Sequence, residues 1–120
     1  MRQALRSLRW IASAKKDLLA MPDKVQQTFG FALYQAQIGL LHADAKPLKG
    51  FGSAGILEVM ESWQGNAYRA VYTVRFANAV YVLHCFQKKS KHGIGTPKPE
   101  LDLIRERLKE AETIAKGVVR

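Results

Sequence analysis

Between Gly55 and Phe86 three strand-like runs follow one another with barely a loop between them. GILEVMESW alternates, with Leu57, Val59 and Trp63 on one face and Glu58 and Ser62 on the other. QGN, residues 64–66, signals a turn. YRAVYTVRF alternates again, with Tyr68, Ala70, Tyr72, Val74 and Phe76 opposed to Arg69, Val71, Thr73 and Arg75. Ala77 and Asn78 make a second tight turn, and VYVLHCF is apolar on both faces, as suits a central strand covered on both sides. Strands joined by connections this short pair naturally with their neighbours, and antiparallel. The chain is thereby committed to a meander, and its remaining segments must cover it.

Those segments read mostly as helices. RSLRWIAS, residues 6–13, is a short first strand in which Leu8 and Trp10 alternate with Arg9 and Ile11. KDLLAM supplies a short helical turn, and Pro22 suits the first position of the helix that follows. There Val25, Phe29, Leu33, Ala36 and Leu40 recur at spacings of three and four, which predicts a helix of roughly 20 residues. Gly30 and Gly39 weaken it, and Gly39 leaves room for another backbone to approach. KPLKGFGSAG, residues 46–55, leads into a strand rather than a helix, so it offers a phosphate no helix N-terminus and reads as a turn. Pro97 or Pro99 opens a last helix, roughly 99–116, with Leu101, Ile104, Leu108, Ala111 and Ala115 on one side. The expected fold is α+β, one domain over residues 1–120, in the order β-α-α-β-β-β-α. The N-terminal helix pair is expected on one face of a mainly antiparallel sheet, with a C-terminal helix to follow.

Charge narrows the function. Nineteen lysines and arginines against ten acids give +9, an excess that predicts a polyanionic partner. It is not spread evenly. From Leu101 onward the charges are mixed, whereas from Tyr68 to Pro99 there is no acid at all. The single cysteine, Cys85, excludes an internal disulfide and reads as a core residue. No apolar run reaches a membrane span and no secretory signal opens the chain, so a soluble, reducing, cytoplasmic setting is expected. His42, His84 and His92 lack metal-ligand spacing, and no nucleotide-binding motif is present, so no metal, cofactor or small-molecule substrate is expected. His84, inside an apolar strand, reads as a buried neutral ring.

The candidate site is the basic set itself. Lys46 and Lys49 lie in the first loop, Arg69 and Arg75 on the middle strand, and Lys88, Lys89, Lys91 and His92 after the last strand, with Lys98 beyond. In the meander, the start of the 56–63 strand and the end of the 79–87 strand are expected at one end of the sheet. Arg69 then falls nearer the opposite end, which keeps Arg75 as an alternative. Lysine or histidine can move protons when its pKa is lowered toward neutrality, and packed cations lower one another's. Arginine stays charged and offers a planar fork to a pentavalent phosphate. Such a set suits either cleavage of RNA or plain binding of nucleic acid. Single lysines in these places also serve as solvated strand ends that discourage aggregation.

AKPLKGFGSAGILEV, then YRAVYTVRFANAVYVLHCFQKKSKHGIGTPKPELDLIRERL, resemble the HigB-like branch of the RelE/ParE toxin superfamily. These are toxins of type II toxin–antitoxin modules, often described as phage-derived proteins. The resemblance covers nearly the whole chain. It implies a compact RelE-like fold with helices packed on one face of a small sheet. It also implies endonucleolytic cleavage of messenger RNA on the ribosome without a metal, and a helix-turn-helix antitoxin as cognate partner. Carried over by position, the loop lysines are Lys46 and Lys49, the strand arginine of the Y-R-x-V-Y pattern is Arg69, and the basic residues after the last strand are Lys88, Lys89 and Lys91, with His92 beside them. Several RelE-type enzymes carry a tyrosine or histidine near the C-terminus; here a helix with Arg105 and Arg107 stands there instead. The ParE members share the fold but inhibit DNA gyrase, so the alternatives are a non-enzymatic gyrase inhibitor and a nucleic-acid-binding module without catalysis.

Overall fold

The computed structural model describes residues 5–52, 55–88 and 95–117. Strand β1 (Ser7–Trp10) precedes two helices, α1 (Ala14–Leu19) and α2 (Asp23–Gln37). Then come β2 (Lys46–Pro47), β3 (Ile56–Trp63), β4 (Asn66–Thr73), β5 (Ala79–Lys88) and the helix α3 (Lys98–Ala115). The five strands form one sheet in the order β1-β5-β4-β3-β2. All neighbours are antiparallel except β1, which runs parallel to β5. The fold is α+β as the sequence implied, with one short edge strand, β2, where a loop was expected. Among the described residues, no helix is long and apolar enough to cross a membrane.

The β3–β4 hairpin turns on two residues. Gln64 and Gly65 both have positive φ, 49° and 80°, as a type I′ turn requires. That turn sets Trp63 opposite Asn66 and carries the register back to Ile56 opposite Thr73. Between β4 and β5 the register slips at Val71/Tyr72: Val71 faces His84, whereas Tyr72 faces Val82. Leu83 is therefore the extra residue of a bulge, and beyond it the alternation of β5 is reversed. His84 now points the same way as Leu83 and Phe86, not with Val82 as simple alternation had it.

Two cores result. On one face α1 and α2 bury Leu18, Val25, Phe29 and Leu33 against Val59, Tyr72, Val80 and Val82. On the other, α3 buries Ile104 and Ala111 against Val71, Tyr81, Leu83 and Phe86. The helices thus cover both faces rather than one. β5 demands it, since every residue from Ala79 to Lys88 except Gln87 is buried. Cys85 is part of the first core, its thiol pKa pushed up to about 12 by burial.

α2 stops at Gln37, short of the expected length. Gly39 sits just beyond it with φ 86°, donating to the Ala36 carbonyl at 3.1 Å, while Leu40 donates to the Gln35 carbonyl at 2.8 Å. This is a Schellman end, and its left-handed residue is why a glycine stands there. Gly39→Ala should therefore lower stability by about 1–2 kcal/mol, read as a shift in urea midpoint at constant slope. At α3, Pro97 takes the cap and Pro99 the second helical position.

Candidate phosphate-binding cleft

Arg69 leaves β4 on the α3 side of the sheet, two residues before Val71. It is 3% exposed. Its register partners are Met60 on β3 and Phe86 on β5, and Glu58 stands diagonally across the hairpin. The Arg69 Nη1 donates to Glu58 Oε2 at 2.6 Å and to Thr96 Oγ1 at 3.1 Å. Thr96, in turn, lies 3.5 Å from the same carboxylate oxygen. The pair is buried, with the Glu58 side chain 8% exposed. Burying a carboxylate is costly unless a cation and hydrogen bonds compensate it, and Arg69 and Thr96 supply both. The Arg69 Nε–H, however, has no partner among the described residues. A buried donor left unmet is where a ligand oxygen would fit.

Glu58 and Thr96 open onto a cleft of about 580 Å³, walled by Lys46, Lys49 and Gly50 on one side and by Leu101 of α3 on the other. Lys46 pairs with Glu58 across the β2–β3 ladder, so β2 delivers its lysine to the rim. Lys46 and Lys49 are exposed. Arg105 of α3 lies over the Phe51 ring at 5.0 Å and ties the loop to the helix.

Lys88 ends β5 opposite Ala67, on the same face as Arg69. It is buried, and its pKa is lowered, chiefly by loss of water and then by the Arg69 guanidinium, with Glu58 pulling the other way. Lys89, Lys91 and His92 lie outside the described residues.

The expected layout is corrected in one respect. β3 and β5 run the same way on either side of β4, so the start of β3 and the end of β5 lie at opposite ends of the sheet. Arg69, midway along β4, stands two residues from Ala67, the partner of Lys88, and so belongs with Lys88, while Lys46 reaches the group from the β2 edge through Glu58. Arg75 is carried away: it bridges Glu112 at 3.0 Å and lies over Phe76, more than two turns along α3 from the cleft. Lys98 is exposed on the first turn of α3, paired with Asp102 at 2.8 Å.

Behind this group, His84 is buried with both ring nitrogens engaged. Arg107 can only donate, so Nδ1 accepts from it at 3.3 Å and Nε2–H donates to Glu100 Oε1 at 2.6 Å. Arg107 also donates to the Leu83 carbonyl and to Ser13, which fastens α3 and α1 across the bulge. Burial lowers the His84 pKa, resisted by Glu100. The unfolded chain takes up a proton near pH 6.5, the folded chain only below that. The contribution of His84 to stability is thus complete above about pH 6.5 and is lost as pH falls from there through the folded pKa. Urea titrations from neutral pH downward should show wild type losing stability in that window more steeply than His84→Gln.

Glu58, Thr96, Glu100 and Arg107 were not anticipated as members of this region. Glu58 had a signal, a charge diagonal to Arg69 across a two-residue turn; Thr96 had none, since the fold brings it in from a distant loop. Among the described residues no group of histidine, cysteine and acidic side chains is placed to hold a metal ion.

A family model described as "Phage derived protein Gp49-like (DUF891)" matches residues 16–109, from within α1 to within α3. No curated protein and no solved structure matches the chain.

Proposed function

The chain belongs to the Gp49-like family of phage-derived proteins, a family associated with RelE/ParE-like toxins of toxin–antitoxin systems, and on that premise we propose that it is an endoribonuclease toxin that cuts messenger RNA on the ribosome. The observation that carries this reading is Arg69. It is buried, anchored through one nitrogen to Glu58 and Thr96, which line a lysine-rimmed cleft, and its Nε–H is left without a partner behind them among the described residues.

Lys46 and Lys49 draw a backbone phosphate into the cleft, and Arg69 donates to its oxygens as the fifth bond to phosphorus forms. The attacking ribose 2′-hydroxyl gives its proton to a base. Lys88 suits this role, because its lowered pKa raises the share of neutral amine, and Glu58 is the second candidate at the cleft wall. The new bond joins the 2′-oxygen to phosphorus, and the bond to the 5′-oxygen breaks. That leaving oxygen takes a proton from the segment after β5, where Lys89, Lys91 and His92 are the available donors. A helix-turn-helix antitoxin is the expected neutralising partner, with the ribosome presenting the message.

Expression of the protein alone tests this. Growth arrest accompanied by new 5′-hydroxyl ends within translated messages supports it. Arrest with intact messages and damaged DNA would point to gyrase instead, and absence of arrest would remove both toxin readings.

A further inference from the structure

We propose that Glu58 competes with the substrate for Arg69, so that a backbone phosphate enters the cleft by taking the place of a carboxylate already there. The inference rests on the phosphate site proposed above and names what governs its occupancy. Glu58 and Thr96 line the cleft, and Arg69, which both of them hold, is 3% exposed behind them. A ligand in the cleft therefore meets the Glu58 carboxylate before it meets the guanidinium. Carboxylate and phosphate oxygens are alike as acceptors for arginine, and either can take its planar fork. Glu58 Oε2, 2.6 Å from Arg69 Nη1, stands where a phosphate oxygen has to stand. Two anions cannot share that position, because each repels the other strongly in a poorly hydrated place.

Among the described residues Glu58 is the single acid in the cleft lining. Cations surround it: Arg69 diagonally across the hairpin, Lys46 as its register partner on β2, and Lys88, whose amine feels its charge. As a tie between β3 and β4 the ion pair has no special merit, since apolar residues of similar volume hold two strands as well. Its distinctive effect is on anions that arrive. A lone phosphate has only the rim lysines to hold it while it displaces Glu58. A phosphate within a strand keeps its neighbours bound during the exchange, which raises its effective concentration at Arg69. Glu58 thus sets a threshold that free phosphate fails and a held nucleic-acid strand passes.

Calorimetric titration with inorganic phosphate and with a short 2′-deoxy oligonucleotide, which cannot be cut, tests this apart from cleavage. Glu58→Gln keeps an oxygen for Nη1 but removes the charge, and it should tighten binding of either ligand about tenfold. Glu61→Gln is the control, because it removes the same charge from the opposite face of β3. It should change affinity by about twofold at most. Without phosphate, Glu58→Gln should also unfold at lower urea than wild type, and added phosphate should recover the loss by giving the buried guanidinium an anion again. Should that variant not fold at all, the Cδ carbon resonance of Glu58 in wild type reports the exchange. It should shift as the oligonucleotide saturates the cleft and the Nη1 bond is lost. Unchanged affinity in Glu58→Gln, an equal gain in Glu61→Gln, no binding of either ligand, or a Glu58 resonance that stays put at saturation overturns the proposal. A chain that shows the exchange but cuts no RNA loses the endoribonuclease reading and keeps this one.

Discussion

Arg69→Ala should destabilise the fold by about 3–5 kcal/mol, several times the usual effect of a point substitution. The cost comes from the residue left behind. Glu58 would keep its place inside the sheet with its charge, its ion pair gone and the Thr96 hydroxyl and the more distant Lys88 cation left to answer it. Removing both charges at once should be far milder, because an apolar pair spares two desolvation costs. Urea denaturation of Arg69→Ala beside the double variant Arg69→Met, Glu58→Leu separates the two situations. The double variant should regain most of the lost stability and remain inactive in cleavage, so the pair would be shown to serve the site rather than the fold. A double variant as unstable as the single one would refute this account of the pair.

The second large effect is expected at Lys88. If its amine accepts the 2′-hydroxyl proton, arginine cannot replace it, since a guanidinium stays protonated at any relevant pH. Lys88→Arg should slow single-turnover cleavage by about 10²–10⁴-fold while RNA affinity is little changed. Lys49→Arg, on the rim, should retain near-normal rate because only charge is asked of it. The wild-type rate should rise with pH and level off below the ordinary lysine value near 10.4, in keeping with the lowered pKa. Should Lys88→Arg cut at the wild-type rate, the base is Glu58 or lies beyond β5.

The meander, the helix pair and the last helix could be read from the chain because each rests on local pattern: period two in YRAVYTVRF, spacings of three and four in α2, proline ahead of α3. The site was half legible. Arg69 and Lys88 stood out by charge, but their neighbourhood depended on register. Taking three residues for the turn instead of Gln64 and Gly65 hid the diagonal between Glu58 and Arg69. The Leu83 bulge lay beyond reach, because one inserted residue leaves the apolar run VYVLHCF looking the same on either side. It alone turns His84 toward α3. Thr96, Glu100 and Arg107 join through packing of a helix whose placement no local pattern encodes.

The parallel pairing of β1 with β5 bears on when the molecule takes shape. Ser7 finds its partner in Ala79, across more than half of the chain, so the strand made first waits for the strand made last. During synthesis α1 and α2 emerge with no completed sheet to lie on, since β5 supplies the centre of both cores. Contacts this distant in sequence slow folding and defer cooperativity until late. The Arg69 pocket, which also needs Thr96 and α3, comes into being only after α3 has been made.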